Sequence, residues 1–223
     1  PFAVDRAITL AGQAQFHPIE VLIALAEAYF KLGGQLHTGV RLLGVRVADH
    51  CHVETSAGEL TADRVVLATG VPVLDRGAHF ARVRPQRSYA MAFRVPGPIP
   101  HGMYLSADAP TRSLRTASGR TGELLLVGGN GHVVGRGGSE RDRLVDLEAW
   151  TRQYFPGAAV THAWSAQDYQ PASLVPLVGA LPHSRGRVLV ATGFNKWGMT
   201  NAVAAARMLV ANLDGDQLPW AGT

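Results

Sequence analysis

The sequence predicts a mixed α/β (α+β) protein, and three patterns lead to that expectation. An apolar segment, RVVLATG at 64–70, is typical of a strand buried inside a parallel sheet, and RVLVATG at 187–193 predicts another strand. Strand-like segments from 82 to 128 follow one another without a helix, which predicts a separate antiparallel sheet. Helical periodicity appears near both ends of the chain. With 223 residues, 47% of them hydrophobic and 17% charged, the chain is able to bury a substantial core, which excludes disorder as its main state.

The first third of the chain is predicted to hold one helix followed by an antiparallel meander. Pro18 suits the first helical position, and the glycine pair at 33–34 ends the helix. Strand-type segments at 35–38, 40–47 and 52–56 predict the meander. The apolar residues of the helix share one face, which predicts that it docks on a core: Ile19, Leu22, Ile23, Ala26 and Phe30.

The remaining chain is predicted to continue with strands and two more helices. Ser139, with an acidic residue three positions later, predicts the start of a helix that ends near Phe155. A last helix is predicted from Gly198 to Leu213, directly after a strand and a glycine-rich turn. Further strands are predicted at 82–95, 102–106, 111–117, 123–128 and 159–166.

Charge and cysteine content narrow the classes of function. Lysine and arginine total 21 against 17 acidic residues, and the arginines are scattered, which gives little support for nucleic-acid or membrane-surface binding. The single cysteine, Cys51, excludes an internal disulfide, and its neighbours His50 and His52 are too few for a metal site, so no metal is predicted. No apolar run reaches the roughly 18 residues of a spanning helix, and no signal sequence opens the chain. The expectation is a soluble, cytoplasmic protein.

Three glycine-containing turns are candidates for ligand binding. Gly128–Gly135 fails the G-x-G-x-x-G spacing because Val134 stands where a glycine is needed, which predicts a flexible or ligand-lining loop. Gly193–Thr200 fails the phosphate-binding pattern because Met199 replaces its lysine. It still predicts a helix N-terminus whose unpaired amides face an electron-rich group. Ala68–Gly70 ends a strand in small residues, which suits either close approach of a ligand or an ordinary turn.

Five stretches, in this order along the chain, resemble FAD-dependent oxidoreductases of the D-amino-acid oxidase and glycine oxidase family. They are GQAQFHPIEVLIALAEA, TADRVVLATG, ELLLVGGNGH, WSAQDYQPASLVPLVG and RVLVATGFNKWGMTNAVAAARML. The motifs WSAQDY and FNKWGMTN are especially similar to those of members whose flavin portion is followed by a Rieske domain.

The resemblance also implies a domain organisation. The family opens with a strand, a G-x-G-x-x-G turn and a helix, and this sequence starts beyond that point, which predicts a C-terminal fragment. Residues 1–75 and 184–223 would form a partial, Rossmann-like FAD-binding domain. Residues 76–183 would form the substrate domain with its antiparallel sheet.

FAD is the cofactor that the resemblance implies, and it implies the residues around it. Val40 would border the adenine, and Ala68, Thr69 and Gly70 would lie along the dinucleotide. The last helix would direct its N-terminus to the N1/O2 edge of the flavin, which gains negative charge on reduction, and Lys196 would add positive charge nearby. The residues surrounding the flavin ring would be Gly193, Phe194, Asn195, Lys196, Trp197, Gly198, Met199 and Thr200.

The implied reaction is oxidation of an amine or amino acid by hydride transfer to flavin N5. Arg115 is similar in position to the family's carboxylate-binding arginine, although a surface arginine is the alternative. The residues expected to line the substrate pocket are Tyr89, His132, Trp164, Gln167, Asp168 and Tyr169. Each also has a structural alternative, as a core aromatic or as a hydrogen-bonded polar residue.

Two other functions remain open from the sequence. A non-catalytic or split subunit is one, because a parallel sheet without its first strand would expose an edge for a partner chain or a second copy to cover. A nucleotide hydrolase is the other, and it rests only on the incomplete phosphate-binding pattern. The isolated chain is expected to bind FAD weakly, because it contains no pyrophosphate-binding segment.

Overall fold

The computed structural model describes residues 4–74, 76–216 and 218–220. The chain divides into two compact units. One comprises the residues up to Leu36 together with Arg87–Ala166, and the other comprises His37–Gln86 together with the residues from Gln167 onward. These units are defined by packing, whereas the predicted boundaries at 75 and 184 concern ligand binding and stay a prediction. Among the described residues no helix combines the length and the apolar character needed to cross a membrane.

Four helices and eleven strands make up the described chain. The helices are α1 (Pro18–Lys31), α2 (His79–Arg82), α3 (Glu140–Tyr154) and α4 (Gly198–Asp214). The strands are β1 (Leu42–Val47), β2 (Cys51–Thr55), β3 (Gly58–Ala62), β4 (Val65–Leu67), β5 (Val83–Arg94), β6 (Tyr104–Leu105), β7 (Arg112–Gly119), β8 (Gly122–Val133), β9 (Ala159–Pro171), β10 (Leu177–Ala180) and β11 (Val188–Thr192).

The first unit is built on a five-stranded sheet in the order β6-β7-β8-β5-β9. Helix α3 begins at Ser139, whose hydroxyl accepts from the Arg141 amide at 3.1 Å, which confirms the predicted N-cap. Leu147 of α3 joins the core of this unit with buried residues of the sheet: Tyr89, Met91, Phe93, Leu114, Leu125 and Val127. The predicted antiparallel pairing is confirmed for β6 with β7 and for β7 with β8.

Helix α1, in the same unit, has the predicted bounds but not the predicted packing. None of its residues is buried in the described structure, and Ile19, Leu22 and Phe30 are each about half exposed. The prediction that its apolar face docks on a core was therefore wrong for this chain, since periodicity shows that a face exists and not what covers it.

The second unit contains two three-stranded sheets, β1-β2-β3 and β10-β11-β4. The predicted antiparallel pairing of the 40–47 and 52–56 segments is confirmed, because β1 pairs antiparallel with β2, and β3 then pairs with β2 as the third strand of the meander. Strand β11 pairs parallel with β4, which agrees with the parallel sheet predicted for the 64–70 segment, and antiparallel with β10. Helix α4 packs on the second sheet through Ala205 and Leu209, which contact Leu189 and Ala191.

Several predicted elements need correction. Residues 35–38 form no strand, and β3 and β10 were not predicted. Strand β4 is not buried on both faces, because Val66 is 41% exposed. The segment starting at Gly128 is not a loop, because β8 continues to Val133 and the turn follows it.

Candidate functional site

The carboxyl ends of two neighbouring parallel strands form the first candidate region, in the second unit. Val188, Leu189 and Val190 of β11 pair with Val65, Val66 and Leu67 of β4, so both strands end at the same edge. The edge of a parallel sheet at which its strands end is a usual place for ligands in α/β proteins. The residues after the two strands are called the strand-end group here: Ala68–Gly70 and Gly193–Thr200.

Hydrogen bonds join the two halves of the strand-end group. The Thr192 hydroxyl, at the end of β11, donates to the carbonyl of Gly70. Gly70 has φ +80°, and a Cβ there would lie 3.0 Å from the Tyr169 ring. Ala68, Thr69 and Gly70 are exposed, and the Thr69 hydroxyl donates to the carbonyl of Val71 at 2.8 Å. This part of the backbone is thus held in place while one side remains accessible.

The second half of the strand-end group leads directly into α4. Gly193 is buried at φ +75°, and a Cβ there would meet Pro171 at 3.2 Å. Asn195, also left-handed at φ +52°, donates its amide to the carbonyl of Tyr169 at 3.0 Å. Phe194 accepts from the Trp197 amide at 3.0 Å and from the Asn201 side chain at 3.2 Å.

Helix α4 presents its N-terminus at this position. The Asn201 amide makes a helical bond to the carbonyl of Trp197 at 2.9 Å. The amides of Gly198, Met199 and Thr200 come before it, in the first turn, where a helix has no intrahelical acceptors to offer. Met199 and Thr200 are exposed, as are Lys196 and Trp197. The arrangement gives a partial positive charge beside an apolar, accessible surface, which suits a flat electron-rich group.

Asp168, one of the predicted pocket residues, lies beside the strand-end group. Its Oδ1 atom is buried and has no hydrogen-bond partner among the described residues. Burial raises the pKa of the Asp168 carboxyl, and the positive charge of Lys196 partly opposes that shift. Gln167 donates to the hydroxyl of Tyr169 at 2.9 Å. A carboxyl group with one unpaired, dehydrated oxygen is able to hold a proton at higher pH than an exposed aspartate.

A polar cluster that the sequence did not predict lies in the same unit. Gln170 accepts through Oε1 from the guanidinium of Arg84 at 2.7 Å and from the Gln86 amide at 3.2 Å. These side chains occupy alternate positions on β5 and β9, which pattern analysis assigned to strands without singling them out.

The first unit brings together two of the predicted pocket residues, Tyr89 and His132. The Tyr89 hydroxyl lies 3.0 Å from His132 Nε2, and the two rings stack with centroids 5.8 Å apart. His132 Nδ1 is 2.9 Å from the carbonyl of Val133. A carbonyl only accepts, so Nδ1 carries the proton and Nε2 accepts from the tyrosine. Burial, and then the negative charge of Glu140, raise the pKa of Tyr89, against smaller opposing effects of Arg143 and Arg87.

The other predicted residues are more isolated. Arg115 is exposed on β7, and its side chain makes no hydrogen bond or ion pair with the described residues. Trp164 is 42% exposed on β9. Val40 is 40% exposed just before β1, and in the described part of the chain no hydrogen bond joins it to the strand-end group.

A second arginine on β7, Arg112, is buried and was missed. It donates to Asn130 Oδ1 and to Asp146 Oδ2, both at 2.7 Å, and its guanidinium lies 5.7 Å from the centre of the Trp150 ring. The sequence contains a signal for Asn130, because asparagine between glycines is a frequent left-handed residue, and Asn130 has φ +55°.

Comparison with known proteins agrees with this architecture. A model of the family of FAD dependent oxidoreductases called DAO matches residues 1–212. A protein of Bacillus subtilis (strain 168), YhfW, which is named as a Rieske 2Fe-2S iron-sulfur protein, is 29% identical over 222 residues, covering 99% of this chain and 44% of that protein.

Solved structures share the fold. Glycine oxidase from Geobacillus kaustophilus superposes with a TM-score of 0.74 at 20% identity, covering 90% of this chain and 55% of that one. L-proline dehydrogenase from P. horikoshii gives 0.71 at 19% identity, covering 91% and 57%. The chain therefore spans about half the length of the relatives that it matches.

Proposed function

Because this chain belongs to the DAO family of FAD-dependent oxidoreductases, we propose that its protein oxidises an amine or amino acid by transferring a hydride from the substrate carbon to FAD. The observation that supports this most strongly is the position of the α4 N-terminus. It follows the ends of two parallel strands and is exposed beside Lys196 and Trp197.

The residues present fit the flavin half of FAD. The donor set is made of backbone amides in the first turn of α4, with the ammonium of Lys196 close in sequence. Trp197 is 67% exposed and Met199 50%, so both offer apolar surface to a ring. Gly193, held left-handed against Pro171, keeps the backbone free of a side chain where the chain leaves the sheet. Bound FAD would supply the hydride acceptor.

The role of the α4 amides in this proposal is electrostatic. A helix N-terminus stabilises a nearby negative charge by about 0.3–1 kcal/mol, and by up to ~2 kcal/mol when the site is partly buried. Negative charge that develops on reduction would therefore be favoured at the N-terminus of α4. Lys196 would add to the effect as a full positive charge. Both contributions exist before the reaction and need no rearrangement.

On the substrate side, we propose that Arg115 binds the carboxylate of an amino-acid substrate. Its planar guanidinium suits two parallel hydrogen bonds to a carboxylate, and it is exposed at the middle of β7. The Tyr89–His132 pair lies on the other face of this sheet, towards α3, and would support the strands behind the pocket without contacting the substrate.

Spectroscopy of the protein as its gene encodes it tests the proposal. We expect a yellow protein, or one that becomes yellow with added FAD, and anaerobic bleaching of that colour by a subset of amines or amino acids. A colourless protein that FAD does not reconstitute would disprove the assignment. Substitution Lys196→Met should lower the reduction potential of the bound flavin, whereas Lys31→Met, at the only other lysine, should leave it unchanged.

A further inference from the structure

Partway along β8, the residues whose side chains face α3 change from odd-numbered to even-numbered positions. Leu114 pairs with Val127 and Arg112 with Gly129, and Leu114 and Val127 are both buried in the core beneath α3. Alternation along a strand would continue this face at 129 and 131 and place residue 132 on the opposite face. Instead Asn130 is buried and Gly131 is exposed.

The left-handed conformation of Asn130 accounts for the change. At φ +55° it interrupts the alternation, so that Gly129 and Asn130, although adjacent, both face α3. Asn130 donates from Nδ2 to the Arg143 carbonyl at 2.6 Å and to Asp146 Oδ2 at 2.9 Å, and both acceptors belong to α3. A single residue of this kind re-aims the side chains that follow, as in a β-bulge. His132, two positions later, consequently lies on the face that holds Tyr89.

Arg112 holds Asn130 in this position. Its side chain is buried, with only 6% of the residue exposed, and it bonds Asn130 Oδ1 and Asp146 at once. A Cβ at Gly129 would lie 3.0 Å from Arg112 Nη1 and 2.8 Å from the carbonyl of Thr111, so glycine is needed for the guanidinium to pass. The conformation of β8 at this point is therefore fixed by contacts from β7 and α3 together.

We propose that Asn130 and Arg112 are positioning residues, which set the face of β8 on which His132 stands and thereby form the Tyr89–His132 pair. They act through His132 and are not themselves catalytic. The functional consequence rests on the proposed role of that pair in supporting the sheet behind the substrate pocket. The structural claim stands apart from it, since the bond between Tyr89 and His132 is measurable without turnover.

Two substitutions at one position separate backbone conformation from side-chain bonding. Asn130→Gly and Asn130→Ala remove the same hydrogen bonds, but glycine adopts the left-handed conformation freely and alanine does not. Nitrogen-15 NMR of the histidine rings reports the result, with the His132 signals assigned from His132→Gln. We expect the native protein to show a His132 ring protonated on Nδ1 with Nε2 accepting. Asn130→Gly should keep this signature in part, because glycine adopts the left-handed conformation but Arg112 no longer holds it. We expect Asn130→Ala to lose this signature.

His183→Ala introduces comparable strain at φ +57° in the other unit and should not alter the His132 signals. In Arg112→Lys a single ammonium replaces the guanidinium that bonds Asn130 and Asp146 together, so the His132 signature should weaken. This variant also tests the proposal if Asn130→Ala does not fold. An unchanged His132 signature in folded Asn130→Ala and in Arg112→Lys would overturn the proposal, as would equal losses in the alanine and glycine variants.

Turnover then tests the consequence separately. If the pair supports the pocket from behind, kcat/KM for an amine substrate should fall by on the order of 10-fold in Asn130→Ala and in His132→Gln, and Asn130→Gly should recover part of that loss. Unchanged turnover in His132→Gln would contradict the proposed role of the pair. The NMR comparison of the two Asn130 variants would still decide the positioning claim.

Discussion

Asn195 donates its backbone amide to the carbonyl of Tyr169 at 3.0 Å, and this bond fixes the segment before α4 to the end of the longest strand. Lys196 follows Asn195 and Asp168 precedes Tyr169, so the bond also brings a positive and a negative side chain to the same place. The electrostatic effect of Lys196 on Asp168 agrees with this placement. A single backbone contact thus organises the charges next to the proposed flavin-binding surface.

Gly70 is predicted to be less replaceable than another left-handed glycine. Gly70 and Gly215 have φ +80° and +79°, but a Cβ at Gly70 would lie 3.0 Å from the Tyr169 ring, and one at Gly215 would meet nothing within 4 Å. Gly215→Ala should therefore cost about 1–2 kcal/mol, from backbone strain alone. Gly70→Ala should cost more, because the ring must also move. Urea unfolding of both variants measures the difference, and equal costs would contradict the role assigned to Tyr169.

The same pair of variants probes cofactor binding. FAD affinity should drop in Gly70→Ala, since its backbone belongs to the strand-end group, and should be retained in Gly215→Ala at the far end of α4. Flavin fluorescence titration gives both affinities.

Two arginines on one strand are predicted to have opposite effects. Arg115→Met should leave the free energy of unfolding within about 0.5 kcal/mol of the native value, because the side chain is exposed. It should raise KM for an amino-acid substrate roughly 10- to 100-fold, because a charged hydrogen-bond partner of the carboxylate is lost. Steady-state kinetics with an amino acid and with the corresponding simple amine checks this, since only the amino acid carries the carboxylate.

Arg112→Met is the matched variant. The substitution leaves Asn130 Oδ1 without its hydrogen-bond donor. Asp146 loses the same donor, but its side chain is 60% exposed, so water can hydrogen-bond to it. A loss of about 1–3 kcal/mol of stability is expected for an unpaired buried acceptor. If Arg115→Met destabilised the protein as much as Arg112→Met, Arg115 would be a structural residue and not a substrate anchor.

The strands and helices that were predicted correctly are those whose patterns depend on local chemistry. The N-cap at Ser139, the stop after α1 and the parallel environment of β4 follow from capping, glycine and an apolar run. Strand β10 was missed because it is four residues long and contains a glycine within a segment rich in proline. Short strands of this kind are specified by their neighbours more than by their own residues.

The glycine-rich segment of β8 shows why the candidate site was only partly predictable. Gly128 and Gly129 suggested a turn, but they lie inside a strand because side chains from β7 need the space. A Cβ at Gly128 would meet Ser113 Oγ at 2.5 Å, and one at Gly129 would meet Arg112. Glycine used for close packing between strands has the same sequence signature as glycine used for a turn. The Tyr89–His132 pair depends on this tertiary arrangement and has no local pattern.

Asp168 is predicted to reduce stability at neutral pH. Its pKa is raised by burial above the ordinary 3.8, so the folded state holds the proton more tightly than the unfolded state does. That contribution to stability is complete below the ordinary pKa and is lost as the pH rises through the raised pKa. Asp168→Asn should therefore increase the urea midpoint at neutral pH and have little effect near pH ~3.

Lys196→Met should lower the neutral-pH midpoint, because the lysine opposes the shift, and it should do so only while Asp168 is present. A double-mutant cycle measures this dependence, and additive effects would rule out an interaction between the two side chains.

His79 is predicted to make the second unit sensitive to mild acid. Only 6% of the residue is exposed, and neither ring nitrogen has a hydrogen-bond partner among the described residues. Burial, and then the charge of Arg82, lower its pKa below the ordinary 6.5. The folded state therefore binds this proton less tightly than the unfolded state, so stability is complete above about pH 6.5 and falls as the pH drops through the lowered pKa.

Substitution His79→Phe should remove that loss. The phenylalanine ring would occupy the space of the imidazole, near Gly77 and Pro182, and it carries no group that protonates. Urea midpoints measured at about pH 7 and pH 5 should then differ less in His79→Phe than in the native protein. His162→Phe, at an exposed histidine of β9, provides the comparison and should keep the native pH dependence. The urea midpoints of the native protein and of His79→Phe should diverge only on the acid side, because above the ordinary pKa neither the imidazole nor the phenyl ring is charged. A difference confined to neutral pH would mean that packing, and not protonation, distinguishes the two proteins.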